Sequence, residues 1–290
     1  MNRATSTVVD VTVCLLLVGA AVAALVNGAA VERPTTGNPA AERAALLATS
    51  TASIEYTLAV PGDPPTWTTN ATATHQRTAH GTLAELLAEA AMSRVSYEGH
   101  RLSRVGTGFE RAVATTTRNR LRERGHRTVV RTRWEPYRGA PLNATMRVGE
   151  RPPPTADVNA ATTTVPSPAT SASGRLRRVA RASGYRGIAV VAAAATVETL
   201  FPPQQAQVAL DGDYPADRLM TRRYRRMGAL TRAGRLSVES RSTTELNADL
   251  TTALAARFER DMRRRFDSPE AAARAVDTGN VTVTVRTWKP

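Results

Sequence analysis

The sequence predicts an α+β protein: a single N-terminal transmembrane helix followed by an extracytoplasmic body of amphipathic helices and a small, mainly antiparallel sheet. Three observations lead there. Val8–Val26 is a 19-residue apolar run with Asp10 as its one charge. Apolar residues recur every fourth position through Val105, Phe109, Val113, Thr117 and Leu121, and again through Leu246, Leu250, Leu254, Phe258, Met262 and Phe266, which marks one face of a helix. The segments 129–134 and 283–288 are rich in β-branched residues, as strands are.

In chain order, residues 1–7 are a short cytoplasmic N-terminus and 8–31 the transmembrane helix. At 1.5 Å per residue the apolar run nearly crosses a hydrocarbon core of about 30 Å. Of the 39 basic residues only Arg3 precedes the run, and a long translocated domain largely escapes the charge rule, so the N-terminus is read inside and the body outside. Three sequons suit an outside body: Asn70-Ala-Thr72, Asn143-Ala-Thr145 and Asn280-Val-Thr282. A cleavable signal ending at Gly28-Ala29-Ala30, before Val31, is the competing reading. The retained anchor is preferred because the run exceeds the usual apolar core of a signal peptide. A carboxylate at the centre of such a helix costs roughly 2.5–3.5 kcal/mol, so Asp10 either reaches the interface or meets a positive group of a neighbouring subunit.

The body has a first part, 40–151, and a second, 174–290, joined by a Pro/Thr/Ser-rich loop or linker at 152–173 in which Val158 to Val165 suits an edge strand. Ala40 to Thr51 is helix-like, and Ile54, Tyr56, Leu58 and Val60 alternate as a strand. The Thr-rich stretch 66–74 suits a second strand. Thr82-Leu-Ala-Glu85 is a capping box ahead of a helix in which Leu83, Leu86, Leu87, Ala90, Ala91 and Val95 follow at helical spacing. Ile188 to Val197 is too short to span a membrane and is read as the buried end of a helix that starts near Leu176 and stops at Pro202-Pro203. Ser268 caps a helix with Pro269 in its first turn. The strands Val129-Val-Arg-Thr-Arg-Trp134 and Val283-Thr-Val-Arg-Thr-Trp288 carry a related phrase.

Composition excludes more than it selects. The chain carries a net charge of +14, and Lys289 is its only lysine, a bias toward arginine that a GC-rich genome produces by itself. The single cysteine, Cys14, excludes an intramolecular disulfide and a zinc-ribbon cluster. No phosphate-binding Gly-x-x-x-x-Gly-Lys loop, Gly-x-Ser-x-Gly elbow or His-Glu-x-x-His is present. His75, His80, His100 and His126 are scattered, and Asp211, Asp213 and Asp217 fit a turn before a helix at Ala216 better than a calcium loop. No enzymatic activity and no cofactor is therefore predicted, and no catalytic or metal residue is assigned. Arginines cluster at 175–181, at 263–265, and around Tyr224 as Arg222, Arg223, Arg225 and Arg226. The last could contact a polyanion through guanidinium pairing and stacking, DNA or an acidic glycan outside the cell and not cytosolic nucleic acid. A solvated helix face is the plainer account of such a charge run.

The stretch Arg3-Ala-Thr-Ser-Thr-Val-Val-Asp-Val-Thr-Val-Cys-Leu-Leu-Leu-Val, the segment Thr199-Leu-Phe-Pro-Pro, and the tail Phe266-Asp-Ser-Pro-Glu-Ala-Ala-Ala-Arg-Ala-Val with Val283-Thr-Val-Arg-Thr-Trp resemble an uncharacterised family of single-pass haloarchaeal membrane proteins. The resemblance implies genes beside type IV pilus-like secretion clusters, whose pilins begin with an apolar helix bearing an early acid, the position Asp10 would occupy. The expected function is a non-catalytic membrane-anchored accessory or pilin-like subunit of a surface assembly, with an anchored receptor for polyanions as the alternative.

Overall fold

The computed structural model describes residues 37–58, 76–122, 125–167, 173–234 and 236–290. The anchor at 8–31 with Asp10 and Cys14, the sequon at Asn70, His75 and the strand expected at 66–74 lie outside these residues. Among the described residues no helix is long and apolar enough to cross a membrane.

Helix α1 (Pro39–Thr49) begins where Asn38 accepts the amides of Ala40 and Ala41. It leads into β1 (Thr51–Thr57), which pairs antiparallel with β2 (Gln76–Thr82) as a two-stranded sheet. The polar sequence of β2 gives no strand signal of its own; pairing with β1 makes it one. Helix α2 (Leu83–Met92) starts at the expected capping box, Thr82 Oγ1 accepting from Glu85 N and Glu85 Oε2 accepting from Thr82 N at 2.8 Å. Thr82→Ala is expected to cost about 0.5–2 kcal/mol in urea unfolding, with no change in m-value, because the Glu85 amide loses its side-chain acceptor.

Strands β3 (Ser96–Tyr97) and β4 (His100–Arg101) form a short hairpin, followed by helix α3 (Thr107–Arg120). The end of β1 approaches α3 so closely at Gly108 that an added Cβ would stand 2.3 Å from the carbonyl oxygen of Thr57. Strands β5 (Arg127–Trp134), β6 (Leu142–Val148), β7 (Asn159–Pro166) and the C-terminal β8 (Asn280–Trp288) complete a six-stranded sheet of order β4-β3-β6-β5-β8-β7. Its pairings are antiparallel. The edge strand foreseen within 152–173 is β7. The two strands sharing a phrase, β5 and β8, are direct neighbours with Val130 opposite Val285. Both parts of the body therefore contribute to one sheet.

Between β7 and β8 runs a helical layer. Helix α4 (Ser173–Leu200) is interrupted at Gly184, whose φ of +56° is open to glycine at little cost. It packs along α7 (Thr243–Arg265) and α8 (Pro269–Ala275), with α5 (Pro203–Asp211) and α6 (Ala216–Thr231) beside them. Leu246, Leu250, Leu254, Phe258 and Met262 of α7 are all 0% exposed, so the four-residue stripe read from the sequence is the buried face. The apolar end of α4 is core as well: Ile188, Ala189, Ala192 and Ala193 are fully buried. The backbone carbonyl of Asp213 accepts from Ala216 N at 2.9 Å in the turn before α6, and the Ser268 side chain accepts from Ala271 N at the start of α8.

One face of the sheet meets the helices. α1 packs on β7 and β8, and α2 on β5, β6 and β8. The alternation of β6 (Leu142, Ala144, Met146 and Val148 buried) and of β8 (Val281, Val283 and Val285 buried) follows from the period-2 geometry of a half-solvated antiparallel sheet. The opposite face is polar and open, apart from Val129 and Trp288, which are buried.

Candidate functional site

The cluster around Tyr224 is divided by the helix that carries it. Tyr224 is fully buried, tilted against Phe201 at 4.4 Å, and its hydroxyl donates to Asn247 Oδ1 at 2.9 Å. Burial raises that hydroxyl to about 12. The expected polyanion contact at Tyr224 is therefore corrected: a ring inside the core cannot stack on a base. Arg223 lies over the Phe201 ring at 5.4 Å, and burial lowers its pKa. Arg222, Arg225 and Arg226 remain exposed. Of these, Arg225 is ion-paired to Glu239, and Arg226 Nε donates to the Arg101 carbonyl at 3.4 Å. The cluster divides because 100° per residue sends five consecutive side chains around the whole helix circumference.

Beside it lies a cleft of about 840 Å³ lined by Tyr56, His80, Glu89, Phe109, Leu200 and Arg223, among others. Burial, and then the neighbouring Glu85, raise the pKa of Glu89. Arg223 Nε is buried there without a hydrogen-bond partner. Among the described residues no group of three or more His, Cys, Asp or Glu could hold a metal ion.

The open face of the sheet gathers a different set of arginines. Arg131 on β5 stands directly opposite Arg147 on β6, and Arg131 is paired with Thr284 on β8. Arg286 on β8 is opposite Val129, one row along the same face and so diagonal to Arg131. Directly opposed side chains on one face have Cβ atoms about 4.5–5.5 Å apart and diagonal ones about 7–8 Å. Arg131, Arg147 and Arg286 are all exposed. Among the described residues none of the three has a carboxylate within ion-pair distance. Arg133, in the next row, is neutralised by Glu135 at 2.5 Å. Threonines fill the neighbouring positions: Thr145 and Thr282 both oppose Arg133, and Thr162 meets Thr284 with hydroxyl oxygens 3.3 Å apart.

The two sequons among the described residues share this face. Asn143 is half-buried on β6, its amide 3.4 Å from the Ala140 carbonyl, while Asn280 is exposed at the start of β8 and donates to Asp277 at 3.0 Å. Sequence reading missed the arginine set, because residues 131, 147 and 286 are distant in the chain and only strand register unites them. The sole local signal was the repeated Val-Arg-Thr phrase.

These features define an α+β body with one open, cationic sheet face. Residues 9–288 match a family of unknown function (DUF7284), and the chain belongs to that family. Neither a curated protein nor a solved structure matches it.

Proposed function

We propose that the chain is a non-catalytic, membrane-anchored accessory or pilin-like subunit of a cell-surface pilus-like assembly, with its N-terminus inside the cell and its body outside. The observation that carries this reading is the open sheet face. An enzyme gathers convergent polar groups in a concavity, where desolvation strengthens their action on a substrate. Here exposed cations without a carboxylate partner stand side by side on the open face of a sheet, an arrangement suited to docking. The apolar run Val8–Val26, the sequons and the resemblance to single-pass haloarchaeal proteins encoded beside secretion genes supply the location and the setting.

Affinity purification of the full-length protein from its own membranes is expected to bring defined partner proteins with it. External protease should digest the body while the N-terminal segment stays in the membrane. A soluble form beginning at Val31, or membranes that yield the protein alone, would overturn the reading. Asp10→Asn is expected to leave insertion intact and to weaken partner co-purification, because a carboxylate in lipid persists where a contact offsets its cost. Unchanged co-purification would assign Asp10 to the membrane interface instead.

A further inference from the structure

We infer that the open sheet face binds a linear acidic polysaccharide, through Arg131, Arg147 and Arg286, and that this face, not the helix around Tyr224, is the anion-recognition surface. The inference deepens the docking reading and rests on it for the location of the face outside the cell. Like charges directly opposite one another destabilise a sheet, and Arg131 faces Arg147 with no carboxylate beside either. An anion laid across β6, β5 and β8 removes that repulsion and gains charge-assisted hydrogen bonds from planar guanidinium groups, which pair bidentately with carboxylate and similar oxyanions. The hydroxyls of Thr145, Thr282 and Thr284 stand in the same and adjacent rows, placed to meet sugar hydroxyls.

The shape favours a flexible, extended chain over a nucleic acid. The arginines stand on the interior strands β6, β5 and β8 of a six-stranded sheet, whereas the major groove of a duplex admits a helix or a two-stranded ribbon. The row through Arg131 and the row through Arg286 hold only Arg, Thr, Val129 and Ala160 at the paired open-face positions, so there is no exposed aromatic on which a base could stack. Asn143 and Asn280 sit four and six residues along their strands from Arg147 and Arg286. The nearer separation is about 13 Å at 3.3 Å per residue, so neither sequon lies in an arginine row.

The test is binding of the full-length protein, purified in detergent, to dextran sulfate, polygalacturonate and duplex DNA. Saturable binding to the two polysaccharides is expected, weakening roughly tenfold or more as salt rises from about 50 to about 200 mM. The triple variant Arg131→Gln, Arg147→Gln, Arg286→Gln is expected to lose about tenfold or more in affinity, whereas Arg222→Gln with Arg225→Gln and Arg226→Gln should stay within about threefold of the parent. Arg147→Glu separates binding from folding. It puts a carboxylate opposite Arg131, so Tm should hold or rise by about 1–3 °C while polysaccharide affinity falls. No saturable polysaccharide binding, tighter binding to DNA, or equal losses in the two triple variants would overturn the inference. Partner proteins that still co-purify while the polysaccharides fail to bind would sink this assignment alone. Polysaccharide binding by a protein that purifies from membranes without partners would sink the assembly reading alone.

Discussion

Replacing Glu110 with alanine is expected to lower the unfolding free energy by about 3 kcal/mol. Its carboxylate is the most deeply buried acid in the described ion pairs, with a side chain 5% exposed. It lies on α3 and accepts from Arg94 at 2.5 Å, from Arg101, and from Ser93 Oγ at 3.1 Å. Arg94 also donates through Nε to the Thr145 carbonyl at 3.0 Å, so this one acid joins the end of α2, strand β4, helix α3 and strand β6. Removing one member of a buried pair leaves the other charge uncompensated, typically a loss of about 3–5 kcal/mol. The lower end applies because Arg94 keeps 38% of its side chain in water. Urea unfolding of Glu110→Ala and Glu110→Gln checks this, the second variant retaining an acceptor for Ser93 and so losing less. A loss under about 1 kcal/mol for Glu110→Ala would mean that the group behaves as a solvated surface pair.

Phe258→Ala is expected to cost about 3–5 kcal/mol, the usual range for a buried aromatic truncated to a methyl group. Phe258 is fully buried on α7 and meets Tyr137 edge-on at 5.0 Å between ring centres. Tyr137, between β5 and β6, also faces Phe266 at 6.2 Å, and its hydroxyl donates to Asp261 Oδ2 at 3.0 Å. Burial, and then the Asp261 charge, hold that hydroxyl protonated well above its ordinary range. Through this contact the helical layer is fixed to the sheet-forming part, so the truncation removes both a transfer contribution and a link between layers. A double-mutant cycle with Tyr137→Leu should return a coupling of about 0.5–1.5 kcal/mol. A coupling near zero would show that Phe258 is held by aliphatic packing alone.

The elements whose signal is local were legible from the sequence. The four-residue stripe of α7 needs only 3.6 residues per turn to become a buried face, and Leu246 to Met262 are buried as that periodicity requires. Thr82 and Ser268 cap because a short side-chain oxygen at those positions reaches an amide three residues on. β2 was not legible: Gln76 to Thr82 is a strand only because β1 offers it hydrogen bonds.

By itself the sequence determined the α+β class, the apolar N-terminal run, most helix positions with their caps, and the phrase marking β5 and β8 as strands. Tertiary structure decided which charges are surface and which are interior. The run around Tyr224 reads as five neighbours in the chain, yet helical rotation buries the ring and scatters the cations, while Glu110, one acid among 25 in the sequence, becomes the buried centre of an ion-pair network. Arg131, Arg147 and Arg286 become neighbours through the register of three strands. A one-residue slip would turn each of these side chains to the other face, so register is fixed by burying Val130, Val148 and Val285 together on the opposite side. The side-chain period within a strand is written locally, but which strands align, and in which row, depends on a core assembled from residues more than 100 positions apart.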